Sequence, residues 1–317
     1  MMHIKIIYAG VIATVAYNLI ASILRALGDS KTPLYFLIIS SVLNVILDLV
    51  FIINFNMGVA GAAYATIISQ AVSAILCLIY TYKKFTILRL KREDFNVKKR
   101  YYHKHLKIGI PMALQFSITA IGIMTVQGAL NVFGSTIIAA YTAASKALQL
   151  VMQPAITFGV TMATYCGQNL GAKEYNRIKE GVKACTKISI ITSIIAGAVL
   201  IFLGKYFVMM FISNPDVEIL KYAQQVLDIS AIFFIPLGLI FIYRNALQGI
   251  GDSFVPMMAG AYELIARAIV AFTLPQYIGF FGICLADPVA WLAASIPLGI
   301  TYFKRIKHLL KHGTIKV

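Results

Sequence analysis

Three polar residues in the first third of the sequence have the types and spacing of a small-cation site. Asp48 and Asn44 lie four residues apart in an apolar stretch, so a helix places both on one face. Thr66 lies in the next apolar stretch, where two antiparallel helices would hold it within ~3 Å of the depth of Asp48. A carboxylate beside an amide and a hydroxyl can accept a proton or a small cation. In the simpler alternative, Asp48 bonds to nearby backbone or faces water at the outer interface.

A second pair of charged residues, Glu263 and Arg267, lies in a later apolar stretch. Their spacing of four residues puts them on one helical face, where a salt bridge would neutralise both charges. A secondary functional polar site at the same place is the alternative interpretation. Asp287 is followed by Pro288, which is a pattern typical of a helix cap.

The apolar stretch from 109 to 133 carries side chains that are candidates to line a substrate cavity. Methionine adapts to apolar ligands of varied shape, while amides and hydroxyls supply polar contacts. The alternative is that these side chains pack against neighbouring helices. The candidates are Gln115, Thr119, Met124 and Gln127.

The sequence lacks the motifs of membrane enzymes. A prenyl or acyl transferase would need paired aspartates for Mg²⁺, or a histidine and carboxylate motif, and there is no DDxxD and no HExxH. The cysteines form no CxxC pair and lie in or beside apolar stretches, as small buried hydrophobic residues do. We therefore predict no enzymatic activity, no catalytic residue, no metal and no cofactor.

The elements that position these residues follow from the composition. The chain is 60% hydrophobic and only 13% charged, whereas soluble domains carry about 25% charged residues. Apolar stretches long enough to cross ~30 Å of hydrocarbon predict an all-α, polytopic membrane protein. The net charge is +16, and the basic residues lie between these stretches. This distribution indicates a lipid bilayer and not nucleic acid as the partner. Nine spans are predicted, at 6–27, 33–55, 57–81, 109–133, 135–165, 185–211, 222–248, 254–275 and 284–304.

Basic residues alternate along the connections between the predicted spans. They are concentrated in the connections after the first, third, fifth and seventh spans, and they recur in the tail. Arg244 is assigned to the connection after the seventh span. This pattern places these connections and the C-terminus in the cytoplasm, and the N-terminus outside. The predicted domains are a partial N-lobe of three spans at 1–82, a basic cytoplasmic linker at 83–107, a C-lobe of six spans at 108–306, and a cytoplasmic tail at 307–317.

A Gly-Asp-Ser-x-x-Pro segment occurs twice, each time between two apolar stretches. The glycine is expected to end one helix in a left-handed cap, and the proline to lie in the first turn of the next. Repeated helical units are typical of transporters. Within its half of the chain, the second copy is preceded by three more predicted spans than the first copy is. We therefore expect a complete relative to have two six-helix halves, and this chain to lack the first three helices. The repeated positions are Gly28, Asp29 and Pro33, and Gly251, Asp252 and Pro256.

Four motifs in this order resemble the multidrug and toxic compound extrusion (MATE) family of bacterial transporters. They are the segment 24–33 with Arg25, the segment 57–62, the segment 167–173 with Gln168, Asn169 and Gly171, and the second repeat at 251–256. The resemblance implies twelve helices in two lobes, with a central cavity open to one side at a time. It also implies export of small organic cations or drugs through the plasma membrane, coupled to inward H⁺ or Na⁺. We expect a monomer.

The resemblance extends to the candidate ion site. Asn44, Asp48 and Thr66 are similar to the first-half site of one branch of the family. That branch uses a further aspartate on its first helix, which is absent here. In another branch a glutamate occupies the place of Thr119, so its second-half sodium site is not expected.

Two other functions stay open at this point. A flippase for lipid-linked saccharides in the same superfamily would need a strongly cationic cavity. Only Lys146 and Arg267 lie well inside the predicted spans, which argues against it. The other alternative is an inactive truncated fragment, and in-frame codons for three further spans upstream would decide it.

Overall fold

The computed structural model describes residues 2–89, 91–212 and 215–313, so residues 314–317 of the predicted tail lie outside it. The described residues form helices and no strand, which confirms the predicted all-α membrane fold. Among them, seven helices are long and apolar enough to span a membrane, or eight with one bent pair counted as a single span. Eight of the nine predicted spans correspond to these seven helices and the bent pair, and the stretch 135–165 does not. The chain divides into two compact units, Met1–Val97 and Lys98–Val317, called unit 1 and unit 2 below.

Unit 1 is a bundle in which the third long helix packs against the other two. Its core joins Tyr17, Ile20 and Leu24 of the first helix to Ala74 and Cys77 of the third. Small residues on the third helix allow the close approach that membrane helices need, because lipid supplies no hydrophobic force between them. The elements are α1 Met2–Ala26, α2 Lys31–Leu49 with a π-helical extension Val50–Asn54, α3 Gly58–Lys84, and 3₁₀ turns at Thr86–Leu88 and Arg92–Phe95.

Unit 2 contains the remaining helices, and two predicted spans within it are broken. The stretch 135–165 is interrupted at Met152, and the stretch 222–248 bends by 56° at Phe233. Pro154 and Pro236 follow these breaks closely, and a proline cannot continue a preceding helix without losing a hydrogen bond. The elements are α4 Lys99–Leu130 with a 3₁₀ turn Asn131–Phe133, α5 Ser135–Val151, α6 Gln153–Gly171, α7 Tyr175–Met209, α8 Val217–Ile232, α9 Phe234–Gly249, α10 Phe254–Thr273, α11 Pro275–Ile278, α12 Phe280–Cys284 and α13 Ala286–His312.

The predicted basic linker at 83–107 is partly helical. Because α4 begins at Lys99, residues 99–107 of this linker form the first turns of that helix. The two units divide between Val97 and Lys98. The lobe boundaries at 82 and 108 stay a prediction.

The two copies of the repeated segment have the same backbone geometry. Gly28 has φ +89° and Gly251 has φ +91°, both in the left-handed region. In each copy the amide of the following aspartate donates to the carbonyl five residues back, at 2.9 Å. This pattern is the Schellman helix end, which glycine adopts without steric cost. The expected left-handed cap is therefore present in both copies.

The aspartate of the first turn, Asp29, joins the start of α2 to the end of α3. Its Oδ1 accepts from the Thr32 amide at 3.1 Å, and its Oδ2 accepts from Lys84 Nζ at 3.1 Å and Tyr80 OH at 3.2 Å. Burial acts to raise the pKa of Asp29, but these hydrogen bonds outweigh it and lower the pKa to about 2. The carboxylate thus caps α2 and tethers it to α3.

We expect Asp29→Asn to destabilise the protein by up to about 1 kcal/mol at neutral pH, because it removes the negative charge that binds Lys84 while an asparagine can still cap α2. Since the folded pKa of about 2 lies below the usual 3.8, the stabilisation is complete above about pH 4 and is lost as the pH falls towards 2. The measurement is the unfolding midpoint of both proteins in detergent between pH 2 and 6. A difference between them that stayed constant across this range would contradict the assignment.

Candidate functional site

The predicted cation-site residues of unit 1 are only partly brought together. Asn44 and Asp48 are half-buried on α2, and Asn44 Nδ2 and Asp48 Oδ1 are enclosed with no hydrogen-bond partner among the described residues. Thr66 is exposed on α3, and its hydroxyl donates to the Ala62 carbonyl of its own helix at 2.9 Å. Buried polar atoms are nearly always paired, so an unpaired amide and carboxylate one turn apart form a candidate site for a proton or a small cation.

Glu263 of α10 is the centre of a buried ionic network in unit 2. Its Oε2 accepts from Arg244 Nη2 on α9 at 2.9 Å, and its Oε1 accepts from Arg267 Nη2 at 2.9 Å. Arg267 Nε donates to Asp287 Oδ1 on α13 at 2.7 Å, and Tyr141 OH of α5 donates to Asp287 Oδ2 at 3.0 Å. The predicted Glu263–Arg267 salt bridge is thus one part of a charge-balanced set of two arginines and two carboxylates.

Two sequence-based assignments in this network are wrong. The sequence pattern assigns Arg244 to a cytoplasmic connection, but α9 continues to Gly249 and the residue is only 8% exposed. The same pattern predicts that Asp287 caps a helix, but the N-cap position of α13 is Leu285, and the carboxylate of Asp287 accepts from Arg267 and Tyr141 instead. In both cases a tertiary partner on another helix, invisible in the local pattern, decides the position of the charge.

A glycine on α4 makes room for this network. A side chain at Gly122 would overlap Nη1 of Arg267. Gln115, also on α4, accepts from Gln248 Nε2 of α9 at 2.8 Å. Helix α4 therefore packs against α10 at Gly122 and is hydrogen-bonded to α9 through the side-chain amides of Gln115 and Gln248.

A cavity of about 320 Å³ lies beside the network, between α4, α5, α9, α10 and α13. Three of the four predicted lining residues, Gln115, Thr119 and Gln127, border it. The fourth, Met124, is 68% exposed on the outer surface of unit 2 and does not. Its position is explained by the helical period, since Met124 lies on a different face of α4 from the other three.

The charges of this cavity differ in their accessibility. The side chains of Glu263, Arg244 and Arg267 are at most a tenth exposed, whereas that of Asp287 is 29% exposed. Trp291 follows Asp287 by one turn of α13 and also lines the cavity. Among the acidic and basic residues of the lining, the side chain most open to a ligand is thus that of Asp287, one helical turn from Trp291.

The cation predicted inside the fifth span does not contribute to this cavity. Lys146 is exposed, and its Nζ lies 5.7 Å from the centre of the Phe211 ring. The cavity therefore has no unpaired cation from α5.

The motif at 167–173 ends α6. The amide of Glu174 donates to the Asn169 carbonyl at 2.9 Å, and that of Lys173 donates to the Leu170 carbonyl at 3.1 Å. Lys173 takes the left-handed position, with φ +61°, although Gly171 lies two residues earlier. Asn169 Nδ2 also donates to the Tyr165 carbonyl at 2.9 Å. These contacts give the motif a structural role at the helix end.

A family model described as MatE matches residues 108–273, which is more than half of the chain. This chain belongs to the MatE family. A model described as Lipid II flippase MurJ matches residues 3–101, which is a smaller part. The MatE family consists of membrane transporters, which is consistent with the prediction that the protein is not an enzyme.

Several bacterial relatives of this MatE protein carry names that describe drug resistance. The probable multidrug resistance protein YpnP of Bacillus subtilis (strain 168) is 32% identical over 253 residues, which are 78% of this chain and 55% of the relative. The probable multidrug resistance protein NorM of Thermotoga maritima is 25% identical over 288 residues, 87% of this chain and 60% of the relative. The chain thus spans less than two thirds of the length of these relatives.

Solved structures support the fold. The outward-facing conformation of a multidrug resistance MATE family transporter of the MOP superfamily superimposes with a TM-score of 0.91 at 21% identity, covering 97% of this chain and 69% of that chain. A MATE in the straight conformation gives a TM-score of 0.90 at 20% identity, covering 98% and 70%. At this level of identity the likeness concerns the fold and not the ligand.

Proposed function

We propose that this MatE protein is a secondary active efflux transporter of the plasma membrane that exports organic cations or drugs in exchange for H⁺ or Na⁺ by alternating access. The observation that carries the substrate assignment is the accessible carboxylate of Asp287, one turn from Trp291 in the cavity of unit 2. A carboxylate attracts a cationic centre, and an aromatic face adds a cation–π contact. The drug-resistance names of the relatives agree with such a substrate.

The second part of the proposal concerns the coupling ion. Asn44 Nδ2 and Asp48 Oδ1 are buried without partners in the described part of unit 1. A proton on Asp48 or a Na⁺ beside it would satisfy the carboxylate, and an intramembrane carboxylate is costly unless it has such a use. Thr66 would have to turn from its own helix to join them, because its hydroxyl now donates to Ala62.

We expect a lipophilic aromatic cation to quench the fluorescence of Trp291, which is the single tryptophan of the sequence. Tetraphenylphosphonium is the probe, and tetraphenylborate is an anion of nearly the same shape. Asp287→Asn should weaken cation binding about tenfold, or 1.4 kcal/mol, since it removes the accessible charge. The matched control is Asp228→Asn, because Asp228 is a half-buried carboxylate of α8 that lies outside this cavity. Equal binding of both probes would contradict the cation assignment.

We expect Asp48→Asn to abolish ion-driven efflux while leaving tetraphenylphosphonium binding unchanged, since Asp48 lies in unit 1 and the cavity in unit 2. Efflux of a fluorescent cation is measured from vesicles under separate H⁺ and Na⁺ gradients. The gradient that drives efflux in the wild type identifies the coupling ion. Efflux by Asp48→Asn equal to that of the wild type would remove Asp48 from the coupling site.

A flippase for lipid-linked saccharides is the second candidate, and the match of residues 3–101 to the MurJ model favours it. A pyrophosphate headgroup needs unpaired cations, whereas Arg244 and Arg267 are both committed to carboxylates. The test is competition: a lipid-linked saccharide that quenches Trp291 and displaces the cation would favour the flippase.

A further inference from the structure

A second cavity of unit 2, of about 670 Å³, lies next to the turn between α9 and α10. One wall is the start of α4, with His103 and Lys107, and the opposite wall is the turn itself, with Asp252 and Ser253. Arg305 of α13 completes the lining. Neither the ion site nor the substrate cavity uses these residues.

The polar side of this cavity is suited to an anion. The side chains of His103 and Lys107 are exposed, and Arg305 Nε is bound to Asp252 Oδ2 at 2.9 Å, so Lys107 leaves the cavity with an excess of positive charge. Ser253 precedes the first residue of α10, so the positive end of that helix dipole lies at this wall, where Asp252 Oδ1 already accepts from the Val255 amide at 3.3 Å. Ser253 is 3% exposed, and its Oγ is enclosed with no hydrogen-bond partner among the described residues. A residue of the cavity wall thus carries a hydroxyl without a partner among the described residues at a helix N-terminus.

The other side of the cavity is apolar and open. Leu106 is 56% exposed, Ile110 is 52% exposed and Phe254 is 58% exposed. In the sequence of α4, the basic residues end at Lys107 and the apolar part follows directly, which favours a position of the cavity where headgroups meet hydrocarbon. A small soluble anion would leave these three side chains uncovered, whereas an acyl chain would cover them.

Further basic residues near the cavity also favour an anionic lipid. Lys98 precedes α4, and the first turns of this helix also carry Lys99, Arg100 and Lys104. A basic cluster next to a membrane-spanning helix attracts anionic lipids, at roughly 1 kcal/mol for each cation near the surface. Basic pockets between membrane helices bind phosphate headgroups for the same reason.

We propose that this cavity is a binding site for an anionic phospholipid. The phosphate lies between Lys107, His103 and the N-terminus of α10, where Ser253 Oγ donates to it. The acyl chains run along Leu106, Ile110 and Phe254. The lipid thereby joins α4 to the α9–α10 turn, and it stabilises the end of unit 2 that contains the second Gly-Asp-Ser repeat.

The test is equilibrium binding of acyl-labelled phosphatidylglycerol to the full chain in detergent, competed by unlabelled phosphatidylglycerol, phosphatidylcholine or inorganic phosphate. Lys107→Gln should weaken binding about fivefold. Lys183→Gln removes an exposed lysine of α7 outside the cavity and should have little effect. Ser253→Ala should weaken binding without lowering the unfolding temperature of the lipid-free protein, because its hydroxyl has no partner there.

Three results would overturn the proposal. Equal competition by phosphatidylcholine would show that the phosphate charge is not recognised. Equal competition by inorganic phosphate would assign the cavity to a soluble anion. Equal weakening by Lys183→Gln and Lys107→Gln would show a diffuse attraction to the basic surface in place of a site. A variant that does not fold is recognised by its elution profile, and Ser253→Ala then decides.

Discussion

Glu263→Gln is expected to destabilise this protein by about 3–5 kcal/mol, which is the usual cost of removing one partner from a buried salt bridge. The carboxylate binds two guanidinium groups at 2.9 Å each, and its own side chain is 8% exposed. Without it, Arg244 and Arg267 share only the carboxylate of Asp287 as counter-charge. A cation in excess would be poorly solvated there, because both arginine side chains are at most a tenth exposed.

A second variant separates charge balance from simple loss of packing. The double substitution Arg244→Met with Glu263→Met removes one positive and one negative charge and leaves the Arg267–Asp287 pair intact, at 2.7 Å. Replacing a whole buried ion pair by apolar residues of similar size is often close to neutral. The double variant should therefore recover most of the stability that Glu263→Gln loses.

The measurement is the denaturant-induced unfolding of each variant in mild detergent, followed by the fluorescence of Trp291. The control is Asp228→Asn, which removes a carboxylate whose hydrogen-bond partner is the neutral Gln224, at 2.6 Å. It should cost no more than about 1 kcal/mol. If the double variant were as unstable as Glu263→Gln, charge balance would not be what holds the network together.

This network also marks the limit of what the sequence predicts. The pair Glu263–Arg267 is readable because both residues are on one helix at a spacing of four. The contacts of Arg244 and Asp287 join different helices, and their geometry depends on the crossing of α9, α10 and α13. Local patterns assign such residues to loops and caps, since a lone charge at the end of an apolar stretch is most often found there.

The helices and the turns were more predictable than the site. Apolar length predicts seven of the nine spans as single spans. Gly28 and Gly251 have nearly the same φ, because only glycine enters the left-handed region at no cost. The breaks at Met152 and Phe233 follow from prolines, but the 56° bend at Phe233 depends on packing against neighbouring helices. Met124 shows the reverse case, in which a plausible cavity residue lies on the wrong face of its helix.

Gly249→Ala is expected to destabilise the protein by about 1–3 kcal/mol, as overpacking of a tight contact does. A methyl group at Gly249 would lie 2.5 Å from the Ala163 carbonyl oxygen and 3.0 Å from both Ala163 Cα and Cys166 Cβ on α6. Two of these atoms are backbone, so the C-terminal end of α9 would have to move away from α6. The gain in helix propensity from glycine to alanine, about 1 kcal/mol, offsets only part of this cost.

The displacement of α9 should also reach the substrate cavity, because Arg244 and Gln248 lie on that helix and bind Glu263 and Gln115. We therefore expect Gly249→Ala to weaken tetraphenylphosphonium binding as well as to lower the free energy of unfolding. The matched control is Gly171→Ala, at the last residue of α6, where an added methyl group meets nothing within 4 Å. Its free energy of unfolding should stay within about 0.5 kcal/mol of the wild type. Equal effects of the two substitutions on unfolding would mean that loss of glycine at a helix end, and not the approach of α9 to α6, sets the stability of this region.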